Sequence, residues 1–113
     1  MLMTLRPVLT YTIKAASVFA AGDLISPAGG KITADDQPVL GVAMNPATEV
    51  GQDIAIMLIG TVRLKATGAV TVGAKLVSSS GGGVEVAGGT PSNVFATALT
   101  AAADGGFTEI LIR

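Results

Sequence analysis

The sequence contains no cysteine, no histidine and no tryptophan, and its aromatics are one tyrosine, Tyr11, and three phenylalanines. Without cysteine there is no disulfide, no thiol nucleophile and no thiolate metal site. Without histidine there is neither a Ser-His or Cys-His nucleophile pair nor an imidazole metal ligand. Charge is scarce as well: 13% of the residues are Asp, Glu, Lys or Arg and the net charge is −1, against about 25% charged in an average domain. The cations are scattered singly, so no basic stripe exists to neutralise phosphates and no nucleic-acid partner is expected. The first nine residues carry Arg6 and Pro7 and lack the apolar stretch of a secretory signal. The uncharged run 86–103 is interrupted by Gly, Pro, Ser, Asn and Thr, which argues against a membrane-spanning helix and a membrane partner. A soluble protein made in a cytoplasm is expected.

What remains is small and apolar. Half of the 113 residues are hydrophobic and fifteen are glycine, so the apolar mass is Ala, Val, Leu and Ile, suited to thin, closely packed sheets. The length fits one domain. So few charges leave little to solvate a monomer's exterior, and large exposed apolar patches mark interaction sites. Part of the surface is therefore expected to be covered by other chains.

The chain says nearly the same thing twice. The stretch 18–32 returns as 70–84, Pro38-Val-Leu-Gly-Val-Ala-Met44 corresponds to Asn93-Val-Phe-Ala-Thr-Ala-Leu99, and Asp53-Ile-Ala-Ile56 to Glu109-Ile-Leu-Ile112. Self-similarity at a fixed period decides architecture before any single element does. Two repeats are read, about 16–65 and 66–113, with residues 1–15 outside them as an N-terminal arm or edge strand, the arm being favoured. Alternation is clearest over 54–65: Ile54, Ile56, Leu58, Val62 and Leu64 on one face, Thr61, Arg63 and Lys65 on the other, with a bend or bulge at Gly60. Shorter β-type runs fall at 8–13, 23–26, 31–33, 39–44, 69–72, 75–78, 84–86, 94–99 and 107–112, separated by Gly-, Pro- and Asp-rich turns. The Ala-rich segments 14–21 and 98–104 are too short to stand as helices. The fold expected from this pattern is all-β, a sandwich or a small closed barrel built from two pseudo-repeats.

No chemistry emerges. No Gly-rich stretch is followed by the Lys-Ser/Thr pair of a phosphate loop, and Gly81-Gly-Gly83 reads as a hairpin turn. Asp35 and Asp36, with Glu49 and Asp53 nearby in sequence, invite a hard-cation reading but lack the alternating pattern of a calcium loop. They are expected to be turn residues, and Asp104 and Glu109 surface groups without partners. Lys31 follows a hairpin turn, as the modified lysine of biotinyl and lipoyl domains does, but its flanks Gly30 and Ile32 are not theirs. An ordinary edge lysine is expected. No catalytic residue, cofactor or metal ligand is assigned.

The order Gly-Asp-Leu-Ile (22–25), Gly-Gly-Lys-Ile (29–32), Val-Leu-Gly-Val-Ala (39–43), Asp-Ile-Ala-Ile-Met-Leu-Ile-Gly-Thr-Val (53–62) resembles the small capsid decoration, or cement, proteins of tailed bacteriophages. Ala-Val-Thr-Val-Gly-Ala-Lys-Leu-Val (69–77), Val-Phe-Ala-Thr-Ala-Leu (94–99) and Thr-Glu-Ile-Leu-Ile (108–112) continue the likeness. The resemblance implies a compact β-barrel or β-tulip (β-clip-like) domain of two pseudo-repeats, with a jelly-roll-like sandwich as alternative, in a non-enzymatic virion protein on the outer surface of the head, assembled in the host cytoplasm. It implies an oligomer, a trimer being favoured, that bridges subunits of the major capsid protein and stabilises the capsid. Leu2, Leu5, Arg6, Val8, Leu9 and Tyr11 are expected to touch a capsid or sister subunit, and Arg63, Lys65 and Lys75 to guard strand edges against aggregation. A head-fibre base, a tail component or a small ligand-binding β domain are the alternatives.

Overall fold

Runs rich in Val, Ile and Thr, each cut short by a turn, build sheet and not helix. The computed structural model describes residues 5–80, 82–88 and 93–112. Among them are eight strands and no helix: β1 (Leu5–Lys14), β2 (Leu24–Ile25), β3 (Gly41–Ala43), β4 (Asp53–Lys65), β5 (Lys75–Ser78), β6 (Val84–Val86), β7 (Ala96–Ala98) and β8 (Phe107–Ile112). The expected runs 31–33 and 69–72 shrink to single bridges, Ile25 with Lys31 and Val70 with Ala102.

One sheet carries all the strands, in the order β2-β3-β4-β8-β7-β5-β6, with β1 on β4. It is therefore not the two-sheet sandwich held as the alternative. The sheet curls into a half-barrel, and its far end returns to its middle where Ala66 bridges Val84 and the Thr67 N–H donates to the Val84 carbonyl at 2.8 Å.

The axis of the arrangement is β4. Its first half pairs with β3 (Val42 opposite Met57) and its second with β8 (Gly60 opposite Ile112 through Lys65 opposite Phe107). Its other edge pairs with β1, from Leu5 opposite Val62 to Lys14 opposite Asp53. The sequence placed Ile54, Ile56, Leu58, Val62 and Leu64 on one face, and the structure divides them. Ile54 and Ile56, with Leu58 packed against them, belong to a small core with Ala15, Phe19, Ile25, Ala43 and Ala47. Val62 and Leu64 belong to the larger one with Met57, Val42, Leu76, Val84, Ile110 and Ile112. Adjacent Ile56 and Met57 point to opposite sides, as strand geometry requires, and the inward side changes before Val62.

Gly60 sits in that change, with φ of 150°. The register slips there too: Val8 of β1 and Leu58 of β4 each lack a residue opposite. A Cβ on Gly60 would collide with the Arg6 carbonyl and lie 3.0 Å from Pro7 Cα, so β1 crosses β4 at glycine contact distance.

Bonds in the first part of the chain have counterparts in the second. The Ala15 N–H donates to Gln52 O and the Ala66 N–H to Gly106 O; Gly51 donates to Ala15 O and Gly105 to Ala66 O. Phe19 and Ala47 bond reciprocally, as do Val70 and Ala102; Gly22 donates to Ala43 O and Gly73 to Ala98 O. Leu40 donates to Ile25 O and Phe95 to Leu76 O. On β1, Tyr11 faces Ile56 and Thr12 faces Ala55; on β4, Val62 faces Ile110 and Arg63 faces Glu109.

Gly60→Ala forces β1 and β4 apart and costs about 2–3 kcal/mol. This is expected to lower Tm by roughly 10 °C or more in a thermal melt. Gly73→Ala, at φ 85° with nothing within 4 Å of the added Cβ, carries only the left-handed backbone strain of about 1 kcal/mol. Equal losses in the two variants would show that strand crossing at Gly60 is not the tight constraint.

Candidate interaction surface

Along β1, residues 6–12 are all exposed. A strand in a half-buried sheet alternates in and out; this one is wet on both faces. Val8 is 79% exposed, Tyr11 57% and Leu9 49%. Of the residues expected to make contacts, Arg6 lies opposite Thr61, Leu9 opposite Ile59 and Tyr11 opposite Ile56, and Val8 is the bulged residue. Leu5 lies opposite Val62, and Leu2 falls outside the described residues. The structure brings the five described positions together on one strand. Sequence reasoning missed Val18 and Val50, 58% and 67% exposed, both in turns near the far end of β1. A lone Val in a polar turn carries no periodic signal.

Of the lysines and arginine expected at edges, Arg63 and Lys65 stand at the end of β4 that pairs with β8, past the last described rung to β1 at Val62, whereas Lys75 stands on β5, which pairs with β6 and β7. Arg63 lies over the Phe107 ring, 5.9 Å from its centroid, on the outward face. The devices that blunt an edge are on β1: Pro7, which has no N–H to offer, and the bulge at Val8. At its other end the Lys14 ammonium meets Asp53 at 2.6 Å in an exposed pair, worth no more than about 1 kcal/mol.

Asp35 and Asp36 belong to a polar seam that fastens the loop after Ile32 to the second part of the chain. The Asp36 N–H donates to Ser78 O, the Gln37 N–H to Ser78 Oγ, and Ser78 Oγ in turn to Ala34 O. Asp36, at φ 52°, accepts from the Asn93 N–H through Oδ1 and from Asn93 Nδ2 through its carbonyl. Asp35 Oδ1 accepts from the Ser80 N–H at 2.6 Å. No group of three or more potential ligating side chains (His, Cys, Asp or Glu) occurs among the described residues.

Two carboxyls meet in the seam. Burial, then the hydrogen bond to Asp35 and the negative charges of Asp35 and Asp36, push Glu85 above its usual 4.5. The Ser80 N–H, with Glu85 adding a hydrogen bond, holds Asp35 below its usual 3.8.

The other acids and the lysine are ordinary. Asp104 does have a partner, accepting from the Gly68 N–H at 2.8 Å, and Glu109 faces Arg63 across the ladder. Lys31 reaches Asp23 at 3.6 Å, on the wall of a shallow cleft of about 380 Å³ that is also lined by Ser26, Pro27, Ile32, Thr33, Gln37 and Pro38.

The raised Glu85 keeps a proton the unfolded chain has released, so its contribution to stability falls as pH rises from about 4.5 through the raised value. Asp35 acts oppositely, its contribution present above about 3.8 and lost below. Glu85→Gln keeps a neutral donor at all pH. Relative to the parent it is expected to gain stability near pH 7.5 and to lose that gain near pH 4, read by thermal melts at both. A difference that does not change with pH would show that Glu85 is not held above its usual value.

No curated protein matches the sequence at a significant level. Among solved structures, the head fiber gp8.5 N base in bacteriophage phi29 superposes with a TM-score of 0.70 at 19% identity, covering 99% of this chain and 95% of that one. At that identity the likeness speaks for the fold: an all-β, barrel-like domain. The family model for phage cement protein matches residues 4–113, nearly the whole sequence. The chain belongs to the phage cement protein family, structural components of the virion.

Proposed function

We propose that the protein is a non-enzymatic decoration protein that binds the outer surface of the assembled head and holds neighbouring major capsid protein subunits together. It would act as a homo-oligomer, a trimer by preference, with Leu5, Arg6, Val8, Leu9 and Tyr11 of β1 touching a capsid or sister subunit. The observation that carries this reading is β1 itself: seven consecutive exposed residues, 6–12, on a paired strand. Between residues 6 and 14 only Ile13 packs against the core, and the rest of the strand is surface kept for another chain. Capsid symmetry repeats one contact many times over a particle, so each can be modest and the bound layer still persistent.

The domain behind this surface is read as two copies of one unit, residues 9–59 and 60–112. The matched bonds support that division, including those of β1, which becomes the first strand of the first unit. β4 then serves twice, closing one unit and opening the next. These boundaries differ from 16–65 and 66–113 because bonds, and not residue identities, align β1 with the second half of β4.

The direct test is co-sedimentation with expanded heads that lack the protein. Binding is expected to saturate at a fixed ratio to the major capsid protein. Val8→Asp is expected to weaken binding by about tenfold or more while leaving Tm within a few degrees, since Val8 is 79% exposed. A protein that ignores heads at every concentration would end the reading. Point changes are preferable to deleting residues 1–9, because the deletion also strips the rungs Leu5–Val62, Arg6–Thr61, Pro7–Gly60 and Leu9–Ile59 from β4.

A further inference from the structure

The unit division shows what is missing from β1. In the second unit the opening strand is the end of β4, and residues 60–62 are paired on both edges. Ile112, Leu111 and Ile110 of β8 lie on one side, and Pro7, Arg6 and Leu5 of β1 on the other. In the first unit the corresponding residues Leu9, Thr10 and Tyr11 pair with β4 alone among the described residues. The consequence shows in burial. Val62 is fully buried, and Tyr11, its counterpart opposite Ile56 as Val62 is opposite Ile110, is 57% exposed. Thr61 is half-buried and Thr10 exposed.

We infer that a second copy of this chain adds an antiparallel strand to the open edge of β1 at residues 9–12, completing the first unit as β1 completes the second. The inference rests on the oligomer read above and names its surface. Three observations favour a sister copy over a capsid strand. First, the strand that fills the matching edge of the second unit comes from this same chain, so its sequence already encodes a complement to that kind of edge. Second, residues 8–13 hold no charge, so no like-charge repulsion opposes the approach of two copies. Third, the footprint is bounded. Pro7 and the bulge at Val8 stop pairing on one side, and on the other the turn at Gly29 abuts the strand end, where a Cβ on Gly29 would lie 2.8 Å from the Lys14 carbonyl. What stays open is a four-residue edge, enough to lock register. The added strand also supplies neighbours for the exposed faces of Leu9 and Tyr11. Arg6 and Val8, beyond the bulge, remain available to the head.

The test is mass in solution by sedimentation, at tens of micromolar, of the full chain and of a Leu9→Lys/Tyr11→Lys double variant, with hydrogen exchange on residues 9–12. The parent is expected to sediment as a multiple of 11.2 kDa and the variant as a monomer that still melts cooperatively, at a Tm lower only by what association adds to the parent. Half of the amides at 9–12 point away from β4. These are expected to exchange about tenfold or more slowly in the parent than in the variant. A monomeric parent, or a variant that keeps the parent's mass, overturns the inference, as does equal exchange in the two. Head binding is read separately. A monomeric parent that still saturates heads removes the sister contact and leaves the decoration role, and an oligomer that ignores heads does the reverse.

Discussion

A strand that is paired on both edges and faces two different cores must change its inward side somewhere along its length, and β4 does so at Gly60. Before it, Ile54 and Ile56 fill the small core; after it, Val62 and Leu64 fill the large one. Any side chain at that point would strike the backbone of β1. The crossing therefore sets the bulge at Val8, the register of β1, and the separation of the two cores. Each fully buried Ile or Leu contributes on the order of 1.5–3 kcal/mol, and both cores contain several. The bend costs conformational freedom at one glycine, and allows one strand to stabilise both halves of the domain.

The large core joins the two halves, with Leu24, Val42 and Met57 in one cluster with Leu76, Val84 and Ile110, and polar bonds add to that connection. Ser78 is fully buried yet both accepts and donates, tying Gln37 and Ala34 to β5. Asn93 and Asp36 form a second tie, and Ser80 with Asp35 a third. A buried hydroxyl with both roles filled carries little desolvation penalty, whereas one left half-satisfied costs about 1–3 kcal/mol. The seam is thus specific: it fixes how the loop of one half meets the strands of the other. It also explains why two acids sit side by side in a chain with so few charges. Backbone N–H donors, Ser80 for Asp35 and Asn93 for Asp36, stabilise both.

Most of the strand plan was legible because the residues that make it are local. Alternation in 53–65, the Gly-Gly turns and the glycine at the bend each act within a few positions. Which strand residues 5–14 pair with was not legible, because residues 6–12 are exposed on both faces and the local pattern names no partner. The division of β4 between two cores was equally hidden, since Met57 and Leu58 are both apolar and period-two counting does not say which one turns inward.

The exposed strand and the cement family membership bear on each other through timing. Before any head is available, a protein with a wet apolar strand faces only other copies of itself and its host's proteins. Unlimited edge pairing would then give fibres. Pro7, the bulge at Val8 and the turn at Gly29 leave too short an edge for that, but long enough for one defined neighbour. An edge limited in this way favours small assemblies over open growth. Such an assembly presents several identical surfaces at once, which is the form in which weak contacts gain most from a symmetric particle. In the proposed role, the same sequence features would restrain self-association and multiply the contacts made to a particle.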